Sequence, residues 1–258
     1  MNNNKDYQSR VGEVNYNFYN EKMTIIQYIS SRKVLVEFEN GYQRWCTYGN
    51  FTSGVVKNNS VPRSYNIGIC DIKDIKGDLD KEYRFWQSML RRCYAKEWKE
   101  KHPTYQDATC SKQWLYFSNF VEWSHNQENW KFIISHKVGF NLDKDIICKH
   151  NKIYTPQLCC YVPQYVNKIF TRHEAKRGTY PIGVNYNKKG DCFEAYWGDP
   201  YEGRKSLYGF STPEDAFEQY KINKEKVIKK VAQHELEIGT ISTACYEAMM
   251  QYQVEITD

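Results

Sequence analysis

The sequence lacks any hydrophobic run long enough to cross a membrane, since none of its apolar stretches approaches the ~18 residues that a membrane-spanning helix needs. Its polar start, MNNNKDYQSR, also lacks the hydrophobic stretch of a signal peptide. These two absences predict an intracellular, cytoplasmic protein without a membrane partner.

Two kinds of short sequence motif are also absent. The nine cysteines include no Cys-x-x-Cys pair, which argues against a zinc site with paired sulfur ligands. No glycine-rich phosphate loop of the NTPase type occurs. In an intracellular protein the cysteines are therefore predicted to be reduced thiols that are buried as small apolar side chains.

Positive charge is absent from the C-terminal end. The chain as a whole carries +5, yet no Lys or Arg follows Lys230, whereas acids continue at Glu235, Glu237, Glu247, Glu255 and Asp258. The body of the chain is thus more basic than the total suggests, and residues 236–258 form an acidic tail. This distribution is typical of a nucleic-acid binder.

The first 64 residues show strand patterns. Apolar residues alternate in part over 33–39, and Asn40-Gly41 predicts a tight turn into the next strand. A small antiparallel β domain is therefore predicted for residues 1–64, with the polar stretch around Pro62 as a linker.

Residues 81–123 have a helical and aromatic pattern. Aromatic and apolar residues recur at steps of three and four from Tyr83 to Trp98, which predicts one helix that ends at His102-Pro103. A second periodic run extends from Trp114 to Trp123. Core packing is the main interpretation of both stripes, and base stacking by single rings is the alternative.

Residues 140–170 predict the order strand, strand, helix, with a polar turn at 149–152 and a helix that begins near Pro163. A hairpin followed by a helix can hold one divalent ion against a phosphate, while a base beside the ligand activates water. Asp143 on the strand and Asn167 on the helix fit the two ligand positions, and His150 lies nearby in sequence. The alternative is that Asp143 and Asp145 simply cap a turn.

Further motifs surround these residues: Tyr83-x-x-Trp86-x-x-Met89-Leu90-x-Arg92-Cys93-Tyr94, Trp114-x-x-Phe117-x-x-Phe120-x-x-Trp123 and Val162-Pro163-x-x-x-Asn167. Together they resemble the HNH homing endonucleases of phages over roughly residues 80–170. The resemblance implies cleavage or nicking of double-stranded DNA in an infected bacterium, with Mg²⁺ or Mn²⁺ held by Asp143 and Asn167.

The sequence departs from that family at the general base. The family has a histidine directly after the metal-binding Asp, and this chain has Lys144. A lysine with a pKa near ~10.4 is a cation at pH 7 and a poor proton acceptor. His150 could replace it only if the turn folds back toward the metal. Asp143, Lys144, His150 and Asn167 are the candidate catalytic residues.

The C-terminal part predicts three strands and a helix, with Thr212 as cap and Pro213 at the first helical position. Its motif is Gly183-Val184 … Phe193-x-Ala195 … Leu207-Tyr208-Gly209-Phe210-x-Thr212-x-Glu214-x-Ala216 … Tyr220. This motif resembles the APETALA-type DNA-binding domain, which implies that the sheet lies in the major groove.

Candidate DNA contacts follow from that resemblance and from side chains long enough to reach base edges and phosphates. They are Arg172, Lys176, Arg177, Asn185, Tyr186, Lys188, Lys189, Tyr196, Arg204, Lys205 and Tyr208. Glu194 could accept from cytosine or pair with Lys205.

The sequence therefore predicts an α+β protein in four parts. These are a small β domain (1–64), a helical and HNH-like ββα module (65–170), an APETALA-like DNA-binding domain (171–235) and the acidic tail (236–258). One function is double-stranded DNA binding with metal-dependent nicking at a degenerate active site. The alternative is a non-catalytic DNA- or protein-binding regulator or inhibitor whose acidic tail contacts a host protein.

Overall fold

The chain divides into two compact units, Met1–Asp74 and Ile75–Asp258. The computed structural model describes residues 10–72, 77, 79–135, 139–171 and 179–256. Helices and several small sheets occur together, so the predicted α+β class is confirmed. Within the described ranges, no helix is both long enough and apolar enough to cross a membrane.

The N-terminal unit is built on a four-stranded antiparallel sheet in the order β1-β2-β3-β4. Its elements are β1 (Val14–Tyr16), β2 (Lys22–Ser30), β3 (Lys33–Phe38), β4 (Gln43–Cys46) and helix α1 (Tyr48–Thr52). Alternate residues such as Ile25 and Val36 pair across strands and are fully buried. The predicted turn at Asn40-Gly41 is confirmed, because Gly41 has a φ of 81° and joins β3 to β4.

The second unit begins with four helices and an aromatic core. The helices are α2 (Asp80–Tyr94), α3 (Lys96–Lys101), α4 (Phe117–His125) and α5 (Trp130–Ser135). Trp86, Trp114 and Phe117 are fully buried, and the Trp86 indole N–H donates to the Trp114 carbonyl at 2.7 Å. The interpretation of the aromatic stripes as core is therefore confirmed for these residues.

The prediction of one continuous helix from Tyr83 to His102 is wrong. The helix stops at Ala95, whose backbone is extended with φ −78° and ψ 111°, and α3 starts afresh at Lys96. The Trp98 ring stacks on His102 at 3.9 Å and lies under the Arg91 guanidinium at 4.2 Å. Side-chain stacking thus favours a bend that the helical spacing does not predict.

The predicted strands and helix are present in the central segment, which also contains one more short strand than predicted. Its elements are β5 (Thr109–Cys110), β6 (Phe140–Asp143), β7 (Ile153–Tyr154), β8 (Cys160–Pro163) and α6 (Gln164–Phe170). β6 pairs antiparallel with β8, and β8 leads directly into α6. The short strand β7 pairs with β5 in parallel, which ties the loop to the helical part of the unit.

The C-terminal segment has the predicted three strands and helix. These are β9 (Val184–Asn187), β10 (Cys192–Asp199), β11 (Gly203–Phe210) and α7 (Pro213–Glu237), followed by α8 (Thr243–Met250). The sheet is antiparallel with β10 in the centre. The Thr212 hydroxyl accepts from the Asp215 N–H at 3.1 Å, so the predicted cap is confirmed.

The predicted boundaries after residue 64 differ from the observed division, because one hydrophobic cluster joins buried residues from Ile146 to Val254 of the second unit. Val162 and Val166 of the ββα segment, Ala195 of the sheet and Met249 of α8 belong to the same buried cluster. The predicted modules 65–170 and 171–235 and the tail 236–258 are therefore packed as one body.

The acidic tail is largely folded onto this body. Asn129 donates to the Thr240 carbonyl at 2.7 Å, and the α8 side chains Cys245 and Met249 are fully buried. Glu235 is fully buried and accepts hydrogen bonds from the hydroxyls of Tyr165, Tyr201 and Thr240. This carboxylate, one residue before the tail, is therefore not on the surface.

Gly183 sets the approach of the sheet to α7. Its φ is +74°, and a Cβ built there would lie 2.1 Å from the Tyr220 ring. We expect Gly183→Ala to lower the free energy of unfolding by about 2 kcal/mol or more, since strain at a positive φ adds to overpacking. Gly198→Ala, where nothing lies within 4 Å of the added Cβ, is the matched control. Equal melting temperatures of the two variants would contradict this account.

Candidate nucleic-acid interface and the ββα segment

Asp143 ends strand β6, opposite Cys160 in the antiparallel pair. Its Oδ1 accepts the backbone N–H groups of Asp145 and Ile146, each at 2.8 Å. Burial and the neighbouring charge of Asp145 raise the pKa of the Asp143 carboxyl above its usual range, despite these two hydrogen bonds. The contacts are those of a carboxylate that caps a turn.

Lys144 follows Asp143 directly, at the position where the resemblance implies a general base, and its side chain binds neighbouring residues of the loop. The residue is 5% exposed. Its Nζ donates to Asp145 Oδ2 at 2.7 Å and to the Asn151 carbonyl at 2.6 Å. Asn151 in turn donates to the Lys144 carbonyl at 2.9 Å. Lys144 therefore closes the loop between β6 and β7 through these hydrogen bonds.

A second cation lies close to the same carboxylate. The Arg92 guanidinium donates to the Leu142 carbonyl at 3.1 Å and to the Tyr154 hydroxyl at 3.0 Å. Burial alone would lower the pKa of Arg92. The neighbouring Tyr154 and Tyr105 and, to a smaller extent, the charge of Asp143 outweigh this effect and raise the pKa. The sequence motif contains Arg92 but does not predict that Arg92 lies beside Leu142, Tyr154 and Asp143.

These surroundings do not fit the divalent ion that the resemblance implies. One oxygen of Asp143 already accepts two N–H groups, and the cations Lys144 and Arg92 lie where a further positive charge would be repelled. No hydrogen bond joins Asp143 to Asn167. Among the residues that the structure describes, no three His, Cys, Asp or Glu side chains form a group that could hold a metal.

The other two candidate catalytic residues, His150 and Asn167, have different contacts. His150 is exposed, with a φ of 63°, and its Nε2 lies 3.9 Å from Glu255 Oε2 in the C-terminal segment. Asn167 is half-buried on α6, and its carbonyl accepts from the Thr171 hydroxyl at 3.2 Å. The contact with Glu255 places the imidazole against the chain end.

The three-stranded sheet has one face on the core and one face outward. Residues that pair directly across antiparallel strands share a face. Ala195 is fully buried and pairs with Val184, which marks the face toward α7. The opposite face, here called the outward face, consists of Asn185, Glu194, Tyr196, Arg204, Ser206 and Tyr208.

Side chains of the outward face contact one another across the three strands. Glu194 Oε1 accepts from the Asn185 amide at 3.2 Å and lies 3.7 Å from the Arg204 guanidinium. Arg204 also lies over the Tyr196 ring at 4.4 Å. Tyr208 remains 59% exposed. The face is polar and aromatic, and Glu194 pairs with Arg204 and Asn185 rather than with Lys205.

Two predicted contact residues lie on the other face. Tyr186 pairs with Phe193 and Lys205 pairs with Trp197, so the two-residue period of a strand turns both toward the α7 side. Lys205 forms an ion pair with Glu202 at 3.2 Å. The strand patterns predict the strands but not their register, and register decides which residues point outward.

The turn between β9 and β10 carries two exposed lysines. Lys188 and Lys189 make no ion pair with any residue that the structure describes. The Asn187 amide oxygen accepts from the Lys189 N–H at 3.0 Å and fixes this turn. The predicted contacts Arg172, Lys176 and Arg177 lie outside the described residues.

Comparisons with protein-family models, with curated proteins and with solved structures found no match to this chain.

Proposed function

We propose that this protein binds double-stranded DNA through the outward face of its C-terminal sheet and does not cleave it. The observation that carries the proposal is the side-by-side arrangement of four side chains on the outward face: Asn185, Arg204 and Tyr208 are exposed, and Tyr196 is half-buried. Amide and guanidinium groups are the side chains that pair best with adenine and guanine edges in the major groove.

The dimensions of the sheet support this proposal. Neighbouring strands lie about 4.8 Å apart, so three strands span about 10 Å and fit a major groove about 12 Å wide. Lys188 and Lys189 extend from the end of the sheet, where their charges can neutralise phosphates of the flanking backbone. Aromatic Tyr196 and Tyr208 supply apolar contact beside the polar groups.

The contacts of Lys144 support binding without cleavage. Hydrolysis needs a group that accepts a proton from water, and the Lys144 ammonium already donates to Asp145 and Asn151. The runner-up, a metal-dependent nickase, retains the ββα order and Asp143 at the strand end in its favour. A nicking assay separates the two.

The test incubates supercoiled plasmid and the protein with Mg²⁺ or Mn²⁺. We expect the plasmid to stay supercoiled after deproteinisation, while the same mixture run without deproteinisation shows a gel shift. Asp143→Ala is expected to leave the shift unchanged, because Asp143 lies in the turn of the ββα segment and not on the outward face.

Nicking that requires the metal and disappears in Asp143→Ala would overturn the non-cleaving assignment and support the nickase. An unshifted plasmid at all protein concentrations would overturn DNA binding itself. Nicking that persists in Asp143→Ala identifies a contaminating nuclease, and the assay is then repeated on protein purified to remove it.

A further inference from the structure

A cavity of about 620 Å³ opens in the C-terminal unit between α6, the sheet and α7. This volume lies within the ~300–1,000 Å³ that small-molecule sites occupy. Aromatic residues supply much of its lining: Tyr165, Phe170, Tyr180, Trp197, Tyr220 and Tyr252. Its lining does not include Asp143 or Lys144 of the ββα turn, and it shares Asn185 and Tyr196 with the outward face.

Lys224 of α7 lines this cavity and is 9% exposed. It makes no hydrogen bond or ion pair with the described part of the chain. Burial lowers the pKa of Lys224 from 10.5 to about 8, so the side chain still carries its charge at pH 7. Buried charges in proteins are normally paired, and this one faces an open, aromatic-lined space.

Asp199 is an acidic residue of the lining, and its carboxylate already has hydrogen-bond partners. Asp199 accepts the Tyr201 N–H at 2.8 Å, the Glu202 N–H at 3.1 Å and the Lys230 ammonium at 3.2 Å. Those contacts lower the pKa of Asp199 against the effect of its burial. A second cation, the exposed Lys168, lies in the same lining. The cavity thus offers a surplus of positive charge.

We propose that this cavity binds a nucleotide, with the phosphate on Lys224 and Lys168 and the base among the aromatic rings. A phosphate monoester carries about −1.5 to −2 charges at neutral pH, which matches two ammonium groups. Bases stack on aromatic side chains irrespective of their identity.

The nucleotide can come from free solution or from a nucleic-acid strand, and calorimetry distinguishes these sources. Deoxyadenosine monophosphate, deoxyadenosine, inorganic phosphate and a single-stranded oligonucleotide are titrated into wild type, Lys224→Met and Lys226→Met. Lys226 is exposed on the same helix and serves as the matched control. Lys224→Met removes a buried charge and is expected to fold, which a thermal melt checks.

We expect the monophosphate to bind wild type and Lys226→Met equally and Lys224→Met at least tenfold more weakly. Deoxyadenosine is expected to bind all three proteins weakly and alike. A loss at Lys224 seen only with the oligonucleotide assigns the nucleotide to a strand. Two results would overturn the proposal: neither the monophosphate nor the oligonucleotide depends on Lys224, or inorganic phosphate binds as tightly as the monophosphate.

Discussion

Replacing Lys188 and Lys189 together by alanine is expected to weaken binding to a DNA duplex by about 60-fold at 0.1 M salt. Each lysine that neutralises one phosphate contributes a slope of about 0.9 in log K against log salt, hence a factor of about eight at 0.1 M. The slope itself should fall by about two. Fluorescence anisotropy over a series of salt concentrations measures both quantities.

The double variant Lys226→Ala/Lys229→Ala is the control for net charge. Both lysines are exposed on α7, on the side of the sheet opposite the outward face, and their removal changes the net charge equally. We expect the control to bind with nearly the affinity and the slope of wild type. Equal losses in the two double variants would mean that DNA senses only total charge, and the β9–β10 turn would then lose its assigned role.

Lys224→Met is expected to stabilise the ligand-free protein at pH 7 by about 3 kcal/mol. The pKa of Lys224 is about 8 in the folded chain against 10.5 for an unburied lysine, and each unit corresponds to about 1.4 kcal/mol. Below pH 8 Lys224 is protonated in both the folded and the unfolded chain, and the folded protein has the full free-energy cost of a buried charge. The other titratable groups that line the cavity with Lys224 are Asp199, Lys168 and the tyrosines Tyr165, Tyr180, Tyr196, Tyr220 and Tyr252.

The sign of the pH dependence follows from these two values. Between pH 8 and 10.5 the unfolded state holds a proton that the folded state has lost, so the stability of wild type rises with pH over this range. Above pH 10.5 the penalty is gone. The advantage of Lys224→Met over wild type should therefore shrink by about 3 kcal/mol from pH 7 to pH 10.5. Chemical denaturation at several pH values tests this, with Lys226→Met as control, and a constant difference would contradict it.

The local elements of the second unit could be predicted because they have short-range signals. Thr212 and Pro213 start α7 as predicted, and the ββα order follows from the strand patterns and Pro163. The aromatic spacing gave Trp86 and Phe117 as core residues. Each of these features depends on residues within a few positions of one another.

Features that depend on distant contacts could not be predicted. The sequence separated the ββα module, the sheet and the tail, yet Val162, Ala195 and Met249 pack into one core. Lys224 lies four residues after Tyr220 and four before Ile228, so helical spacing places it on the same buried face of α7 as these two residues. The cavity that it faces needs α6 and the sheet as walls, and no local pattern predicts that.

The residues of the candidate site also divide into those that a local sequence pattern predicts and those whose position depends on distant contacts. Lys144 was recognised as a departure from the endonuclease pattern, and its partners Asp145 and Asn151 give that departure a structural role. Four of the predicted DNA contacts lie together on the outward face, whereas register places Tyr186 and Lys205 on the other side. A one-residue change of register would reverse this division.

Hydrogen exchange with and without a DNA duplex tests the sheet-mediated contact most directly. The edge strands β9 and β11 have a partner strand on one side only, so we expect their outer amides and those of the turn 188–191 to exchange readily in the free protein. We predict slower exchange with DNA in peptides that cover residues 184–210, and unchanged exchange in α8 and in the N-terminal sheet. Protection elsewhere in the chain, with residues 184–210 unaffected, would contradict the account.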